Sequence, residues 1–407
     1  MPRIKSRRWS NAQASVTACL SLLIHFSAMG QTTPPTYDFV KNGVQSATVD
    51  NSTGVPRLLI NGQPVPPLLF FFNTGVPASV VAAGVNGPQY LAPQMQDANA
   101  AGIHIFSMSF DSWPWDAGSA ANPPNFSPSD QEMAQLLKTD PQAVFLLRIP
   151  VSPPANWSGW ANYAQWGPNE DNLYLDGTSA PISVASNVYF QGFVAGVKLM
   201  VQHYESSSYA SHILGYHIAG QNTGEWFPAN YRNEGLDYSP ASTTAFRSWL
   251  LQKYGTDQAL SKAWGISVTI ANAPVPVPAP GSFPIASAAQ GAVVQEFYSL
   301  PSEQNMVDYS DYISDEIGSR VLAIAQAVRS ASAGKRLVAF FNGYIYDLPG
   351  SMTGHLRMNQ ILASPNIDIV AAPISYNTLQ DRLAGGAGAG LWSAPRGPAR
   401  PANPVQW

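Results

Sequence analysis

Residues 184–219 read VASNVYFQGFVAGVKLMVQHYESSSYASHILGYHIA. The first part of this stretch carries apolar side chains at helical spacing, and the stretch ends in the apolar run Ile213–Ala219. Crossover helices cover both faces of a parallel sheet, so its strands are apolar on both sides. The stretch therefore predicts one helix and one strand of an α/β fold.

The same pattern recurs along the chain. Apolar runs that predict strands lie at residues 68–72, 103–110, 143–149, 213–219, 337–341 and 367–372. Helical spacing predicts helices near residues 88–101, 129–138, 184–204, 243–254, 303–330 and 355–362. Six such units fit an open doubly wound sheet or a (β/α)8 TIM barrel. No Gly-x-Gly-x-x-Gly follows the first run, so the barrel is favoured, with about six of its β/α units present.

The segments before the first unit predict an export signal and a short hairpin. Arg3, Lys5, Arg7 and Arg8 precede an apolar run at 14–28, so residues 1–30 are interpreted as a signal peptide of a secreted or periplasmic protein. Residues 31–66 form a lead and a β-hairpin, because Asn61-Gly62 joins two apolar runs. The barrel domain is assigned to residues 67–391, with a Pro-rich excursion at 271–286, and an irregular tail to 392–407.

Composition narrows the class of ligand. Of the 407 residues only 11% are charged, against about 25% in an average soluble domain, while 11 Trp, 17 Tyr and 17 Phe are present. A net charge of −4 argues against nucleic acid, which requires a basic face. No further apolar stretch is long enough to span a membrane. We expect neutral, hydroxyl-rich ligands such as an oligosaccharide or polysaccharide.

The loops that follow the predicted strands concentrate aromatic and amide side chains. In a barrel these loops meet at one face, where functional residues lie. Trp113 follows the second strand, Arg148 ends the third, Asn222 and Trp226 follow the fourth, and Tyr376 follows the sixth. No pair or cluster of His with metal-ligand spacing occurs, so neither a metal nor another cofactor is expected.

Glu225 is the main catalytic candidate. It follows the fourth strand in Gly220-Gln-Asn-Thr-Gly-Glu-Trp-Phe227, where glycines let the backbone turn and the flanking rings could desolvate the carboxyl group. A desolvated carboxyl group suits general acid catalysis near neutral pH. The alternative is a solvated loop glutamate.

The residues around Glu225, together with 244–265 (TAFRSWLLQKYGTDQALSKAWG), resemble the β-galactosidase-like glycoside hydrolases of families 42 and 35. The resemblance extends over roughly residues 56–390 and implies a retaining barrel hydrolase. It implies that Glu225 is the general acid/base. From their positions at the ends of the predicted strands, we expect the substrate to be bound by Arg148, Asn222, Trp226, Trp113 and Tyr376. Gly224 stands where the family usually has Asn directly before the acid.

The nucleophile that the resemblance implies, a Glu after the seventh strand, has no counterpart, since no Glu follows Glu316. Asp347, Asp381 and Glu234 are weaker candidates for this role. We therefore expect a copy of a hydrolase that ends about two β/α units early, and the missing nucleophile leaves its activity open. The alternative function is a non-catalytic carbohydrate-binding protein on a degenerate hydrolase barrel.

Overall fold

A computed structural model describes residues 37–72, 82–110, 125–150, 167–180, 182–221, 224–229, 236–277, 298–342, 354–373 and 389–393. After helix α1 (Phe39–Asn42), strands β1 (Ala47–Asp50), β2 (Arg57–Ile60) and β3 (Gln63–Val65) form a small antiparallel sheet. Asn61 and Gly62 join β2 to β3, both with positive φ (51° and 78°), as a tight hairpin turn requires. The hairpin prediction is confirmed.

The main sheet contains the six strands expected from the apolar runs. In spatial order they are β4 (Leu69–Phe71), β5 (Ile105–Met108), β6 (Val144–Pro150), β9 (Ile213–Ala219), β10 (Leu337–Phe341) and β11 (Ile369–Pro373). Two short strands, β7 (Asn172–Leu173) and β8 (Ser179–Ala180), pair with each other between β6 and β9 in the chain. The six long strands are parallel and follow chain order, whereas a doubly wound sheet reverses its order at a switch point. The fold is thus of the barrel type, with a curled sheet.

A seventh strand lies at one edge of this sheet. β12 (Ala389–Ser393) pairs antiparallel with β11. Its sequence Ala-Gly-Leu-Trp-Ser follows a Gly-rich run that predicts a flexible loop, and the expected boundary between barrel and tail at 391/392 falls inside it. The strand arises from pairing with the apolar edge of β11, which local sequence does not reveal.

The helices lie where the periodicity predicts them. They are α2 (Gly87–Ala100), α3 (Ser127–Thr139), α4 (Asn187–Ser206), α5 (Pro240–Tyr254), α6 (Asp257–Trp264), α7 (Gln304–Ala331) and α8 (Met358–Ala363). Side-chain caps fix the starts of α2, α4, α5 and α6, for example the capping box of Asn86 and Gln89 on α2 and the Ser186 cap on α4. Helix α6 was not predicted, although Thr256 caps its start and Gly265 ends it. Among the described residues no helix has both the length and the apolarity needed to cross a membrane.

The two faces of the parallel sheet have different partners. Phe106, Phe145, Ile218 and Phe340 belong to the hydrophobic core that also contains helical residues such as Met133, Val197 and Ile317. Because side chains alternate along a strand, the opposite set forms the inner face of the barrel. Residues of this set, such as Leu146 and Ala339, are buried but lie outside that core.

Buried charges hold the outer layers together. Asp308 on α7 accepts hydrogen bonds from Lys253 Nζ (2.8 Å), Tyr254 Oη (2.8 Å), Trp264 Nε1 (2.7 Å) and Gln304 Nε2 (2.9 Å). It therefore ties α5 and α6 to α7. At the amino ends of β9 and β10, Arg336 pairs with Glu205 and donates to the carbonyls of Val44 and Ile213 at 2.9 and 2.6 Å. The Arg336 contacts lie at the amino ends of the strands, whereas functional residues of barrels lie at the carboxyl ends.

Candidate active site

The inner face of the sheet carries a cationic and aromatic cluster near the carboxyl ends of its strands. In the strand register, Arg148 of β6 lies beside His217 of β9, and Phe341 of β10 lies on the same face. The ring centroids of His217 and Phe341 are 4.2 Å apart. The guanidinium carbon of Arg148 lies 4.6 Å from the ring centroid of Phe71 and 5.3 Å from that of Phe341. These four residues are called the inner-face cluster.

The loop after β9 brings Glu225 back to the end of that strand. Gly220 and Glu225 form an isolated parallel bridge. The N–H of Trp226 donates to the carbonyl of Gly220 at 2.8 Å, and the N–H of Gly220 donates to the carbonyl of Gly224 at 3.1 Å. Glu225 therefore lies beside Gly220, at the carboxyl end of the fourth parallel strand, although residues 221–224 separate the two in the chain.

This return requires unusual backbone angles. Gln221 and Trp226 have positive φ values of 57° and 65°, and Gly224 has φ 78°. Each such angle in a residue other than Gly costs roughly 1–3 kcal/mol and persists only where the surroundings enforce it. A Cβ atom at Gly224 would also lie 3.3 Å from Ala219 Cβ. The Asn that is usual before the acid in the resembling families would be strained at this position.

Trp226 anchors the loop instead of lining the open face. Its side chain is fully buried, its Nε1 donates to the carbonyl of Ile218 at 3.0 Å, and its ring packs 6.0 Å from Phe340. Phe227 is also fully buried and stacks on His355. The structure thus gives Trp226 a supporting role and not the expected sugar contact. The positive φ of Trp226 turns its ring back into the core.

Arg148 occupies the position expected of a substrate-binding residue. It is only 8% exposed, and its Nη2 atom lies 3.9 Å from the place that a Cβ atom at Gly224 would occupy. Its backbone is held by Ser109, whose hydroxyl donates to the Arg148 carbonyl at 2.9 Å. A permanent positive charge is therefore fixed next to the residue that precedes Glu225.

His217 is a site residue that the sequence did not single out for substrate binding. Burial, and to a lesser extent the charge of Arg148, lowers its pKa to about 3, so the ring is neutral at physiological pH. Its Nε2 atom is buried and has no hydrogen-bond partner in the part of the chain that the structure describes. Leaving such an atom unbonded costs about 1–3 kcal/mol. The signal was a polar residue at an inward position of an otherwise apolar strand.

Several predicted residues lie outside the described residues. Among them are the substrate-binding candidates Trp113, Asn222 and Tyr376, and the alternative nucleophiles Asp347, Asp381 and Glu234. Within the described strands, the inner face carries no Asp or Glu. Asp368, beside β11, faces outward, where it pairs with Arg329 and accepts from the N–H of Val338 at 2.9 Å. In the same ranges no group of three or more His, Cys, Asp and Glu could hold a metal ion.

Solved structures share this architecture. The catalytic domain of a β-amylase from Paenibacillus polymyxa matches 70% of this chain and 73% of its own length, at 13% identity and TM-score 0.54. A β-galactosidase from Bacillus circulans sp. alkalophilus matches 78% of this chain at 14% identity and TM-score 0.50. A β-galactosidase from the psychrophilic Marinomonas ef1 matches 74% at 16% identity and TM-score 0.49. At these identities the β-amylase domain and the Bacillus β-galactosidase show the fold alone, and the Marinomonas structure, with a TM-score below 0.5, carries no argument.

The chain spans about two fifths of the length of both β-galactosidases, 41% and 39%. No curated protein sequence matches it. The sequence profile of glycoside hydrolase family 42, described as β-galactosidase, matches residues 95–360, which is more than half of the chain and includes Arg148, His217 and Glu225. The chain belongs to glycoside hydrolase family 42.

Proposed function

We propose that the carboxyl-terminal face of this barrel hydrolyses β-galactosides, with Glu225 as the general acid/base. The observation that carries the proposal is the pairing of Gly220 with Glu225, which brings the carboxylate-bearing residue to the end of the fourth parallel strand. Functional residues of barrel enzymes lie at this end of the strands. Membership of family 42 supports glycosidic bonds as the substrate class.

In the proposed reaction the Glu225 carboxyl group protonates the glycosidic oxygen while the bond to the anomeric carbon breaks. Retaining chemistry then needs a second carboxylate about 5–5.5 Å away, which attacks the anomeric carbon and is later displaced by water that Glu225 deprotonates. Because the described inner face carries no Asp or Glu, Asp347, Asp381 and Glu234 become the candidates to test.

The inner-face cluster provides the sugar subsite in this proposal. Phe71 is 42% exposed and can stack on the apolar face of a sugar ring. Arg148 and His217 offer hydrogen bonds to hydroxyl groups, and Trp113, Asn222 and Tyr376 complete the subsite from the neighbouring loops. The proposal includes export through residues 1–30, so the secreted or periplasmic chain is expected to begin near Gln31 when its amino terminus is sequenced.

The test is turnover of 4-nitrophenyl β-galactoside by the wild type and by Glu225→Gln. The proposal predicts turnover that falls by about 10²–10⁴ in the variant, the usual contribution of a general acid. In the same assay Asp347→Ala, Asp381→Ala and Glu234→Ala identify the nucleophile. In the variant that lacks it, added azide attacks the anomeric carbon, displaces nitrophenolate and yields the glycosyl azide of inverted configuration. Equal turnover by the wild type and Glu225→Gln contradicts the proposal.

One observation favours a second function, carbohydrate binding without catalysis, because the described inner face carries no second carboxylate. Calorimetry with galactose distinguishes the two. If the wild type binds galactose without turnover and Glu225→Gln binds it with the same affinity, the carbohydrate-binding function is supported and the hydrolase function is excluded.

A further inference from the structure

A buried histidine far along the chain supports the loop that carries Glu225. His355 lies just before α8 and is only 1% exposed. Its ring stacks on Phe227, with centroids 4.9 Å apart and an angle of 21° between the planes. The two residues are 128 positions apart in the sequence, so the contact joins two separate β/α connections.

The backbone of Glu225 and of Trp226 also lies within hydrogen-bonding range of the His355 imidazole, whose neutral form has one N–H to donate to either of them. Burial lowers the pKa of His355 to about 3, while these backbone bonds act in the opposite direction. The ring is therefore neutral at physiological pH and serves as a fixed hydrogen-bonding group. Its partners are the acid candidate and the residue that has the strained φ of 65°.

The support behind His355 is rigid. A Cβ atom at Gly354 would collide with Ile317 on α7 and would lie 3.7 Å from Pro228 Cδ, so this segment is wedged between α7 and the Glu225 loop. On the other side, Arg357 pairs with Asp315 at 2.5 Å and with Asp311 at 3.2 Å, both on α7. His355 is thus fixed to the longest helix of the outer layer.

We propose that His355 is a positioning residue that holds the Glu225–Trp226 backbone in its strained conformation and thereby keeps the Glu225 carboxyl group at the sugar subsite. The catalytic part of this inference rests on the proposed function. Trp226 N–H and Trp226 Nε1 hold the loop from the side of β9, and His355, on which Phe227 stacks, holds it from the side of α7. Without His355 the loop keeps its sequence and its acid but loses the fixed orientation of that acid.

The first test measures the loop directly. Hydrogen–deuterium exchange is followed in the peptide that spans residues 221–227, in the full chain, for wild type and His355→Phe. Phe retains the stack on Phe227 but cannot hydrogen-bond, so exchange should accelerate at least about tenfold, which corresponds to about 1.4 kcal/mol. His355→Gln, which keeps an N–H donor and is the fallback if Phe prevents folding, should exchange more slowly than His355→Phe.

His212 provides the matched control. Its Nδ1 lies 2.9 Å from the carbonyl oxygen of Ala143, but at the amino-terminal end of the sheet. His212→Phe removes the same kind of bond and should leave exchange at 221–227 unchanged. Unchanged exchange in His355→Phe, or equal acceleration in His212→Phe, overturns the proposal whether or not the chain turns over sugar.

The second test separates positioning from general structural support. A phenyl β-galactoside needs the acid because phenolate is a poor leaving group, whereas a 2,4-dinitrophenyl β-galactoside does not. Displacement of the acid by about 1 Å predicts a loss of about 100-fold in kcat/KM for the phenyl substrate in His355→Phe. The loss for the dinitrophenyl substrate should be below about threefold.

Equal losses on both substrates overturn a role in positioning the acid. If the wild type turns over neither substrate, the proposed hydrolase is overturned and, with it, the catalytic part of this inference. The exchange measurement still decides whether His355 holds the loop.

Discussion

Replacement of Gly220 by Ala tests the geometry that brings Glu225 to the strand end. A Cβ atom at Gly220 would lie 2.8 Å from both Cε2 and Cζ2 of Trp226, closer than real Cβ contacts allow. The indole is fully buried, so it cannot swing aside freely. Overpacking of a buried ring costs about 1–3 kcal/mol, and loss of the Trp226 bond to Ile218 adds about 1–3 kcal/mol. We expect Gly220→Ala to destabilise the fold by about 2–6 kcal/mol.

Urea unfolding followed by tryptophan fluorescence measures this cost, provided that the m-value is unchanged. Gly192→Ala is the matched control, because Gly192 lies within α4 and a Cβ atom there meets nothing within 4 Å. Helix propensity predicts that this control is stabilised by about 0.5–1 kcal/mol. If Gly220→Ala unfolds within about 0.5 kcal/mol of the wild type, the assigned packing of Trp226 on Gly220 is wrong.

Three further predictions concern stability, pH and binding. Asp308→Ala leaves the buried Trp264 N–H and its neighbouring donors without an acceptor, and should cost about 3–5 kcal/mol in urea unfolding. Burial lowers the pKa of His217 and of His355 to about 3 in the folded chain. In the unfolded chain their pKa is about 6.5, so below pH 6.5 the unfolded chain binds more protons than the folded chain. The free energy of unfolding should therefore be highest above pH 6.5 and fall by roughly 2 kcal/mol per histidine at pH 5. Urea unfolding at pH 7.5 and at pH 5 measures this loss. His217→Phe should halve it. Arg148→Met should weaken galactose binding about 10- to 100-fold in calorimetry, since hydrogen bonds to charged groups contribute about 1.5–3 kcal/mol.

Strands β5, β6, β9 and β10 were predictable because they are buried on both faces and therefore form short apolar runs. Ile213–Ala219 and Leu337–Phe341 have the predicted bounds in the structure. The arrangement of the strands followed from the helices between them and from the absence of a dinucleotide motif. β12 was not predictable, because Ala389–Ser393 adjoins a Gly-rich run that favours a loop and the strand depends on pairing with β11.

The site was predictable only in part. Position after the fourth strand suggested Glu225, and the end of the third strand suggested Arg148. The bridge between Gly220 and Glu225 is a backbone pairing that leaves no pattern in the side chains. His355 contacts Phe227 in the Glu225 loop although the two residues are 128 positions apart in the sequence, so only the folded structure reveals the contact. Trp226 is buried in the structure, and the local sequence does not show which way a residue with positive φ points.

The most direct test of the central claim is the leaving-group dependence of Glu225→Gln. kcat/KM is measured for phenyl and for 2,4-dinitrophenyl β-galactoside in the wild type and the variant. If Glu225 is the general acid, the phenyl substrate slows by about 10²–10⁴ while the dinitrophenyl substrate slows by less than about tenfold. Equal slowing of the two substrates, or no slowing of either, would contradict the assignment of Glu225 as the acid.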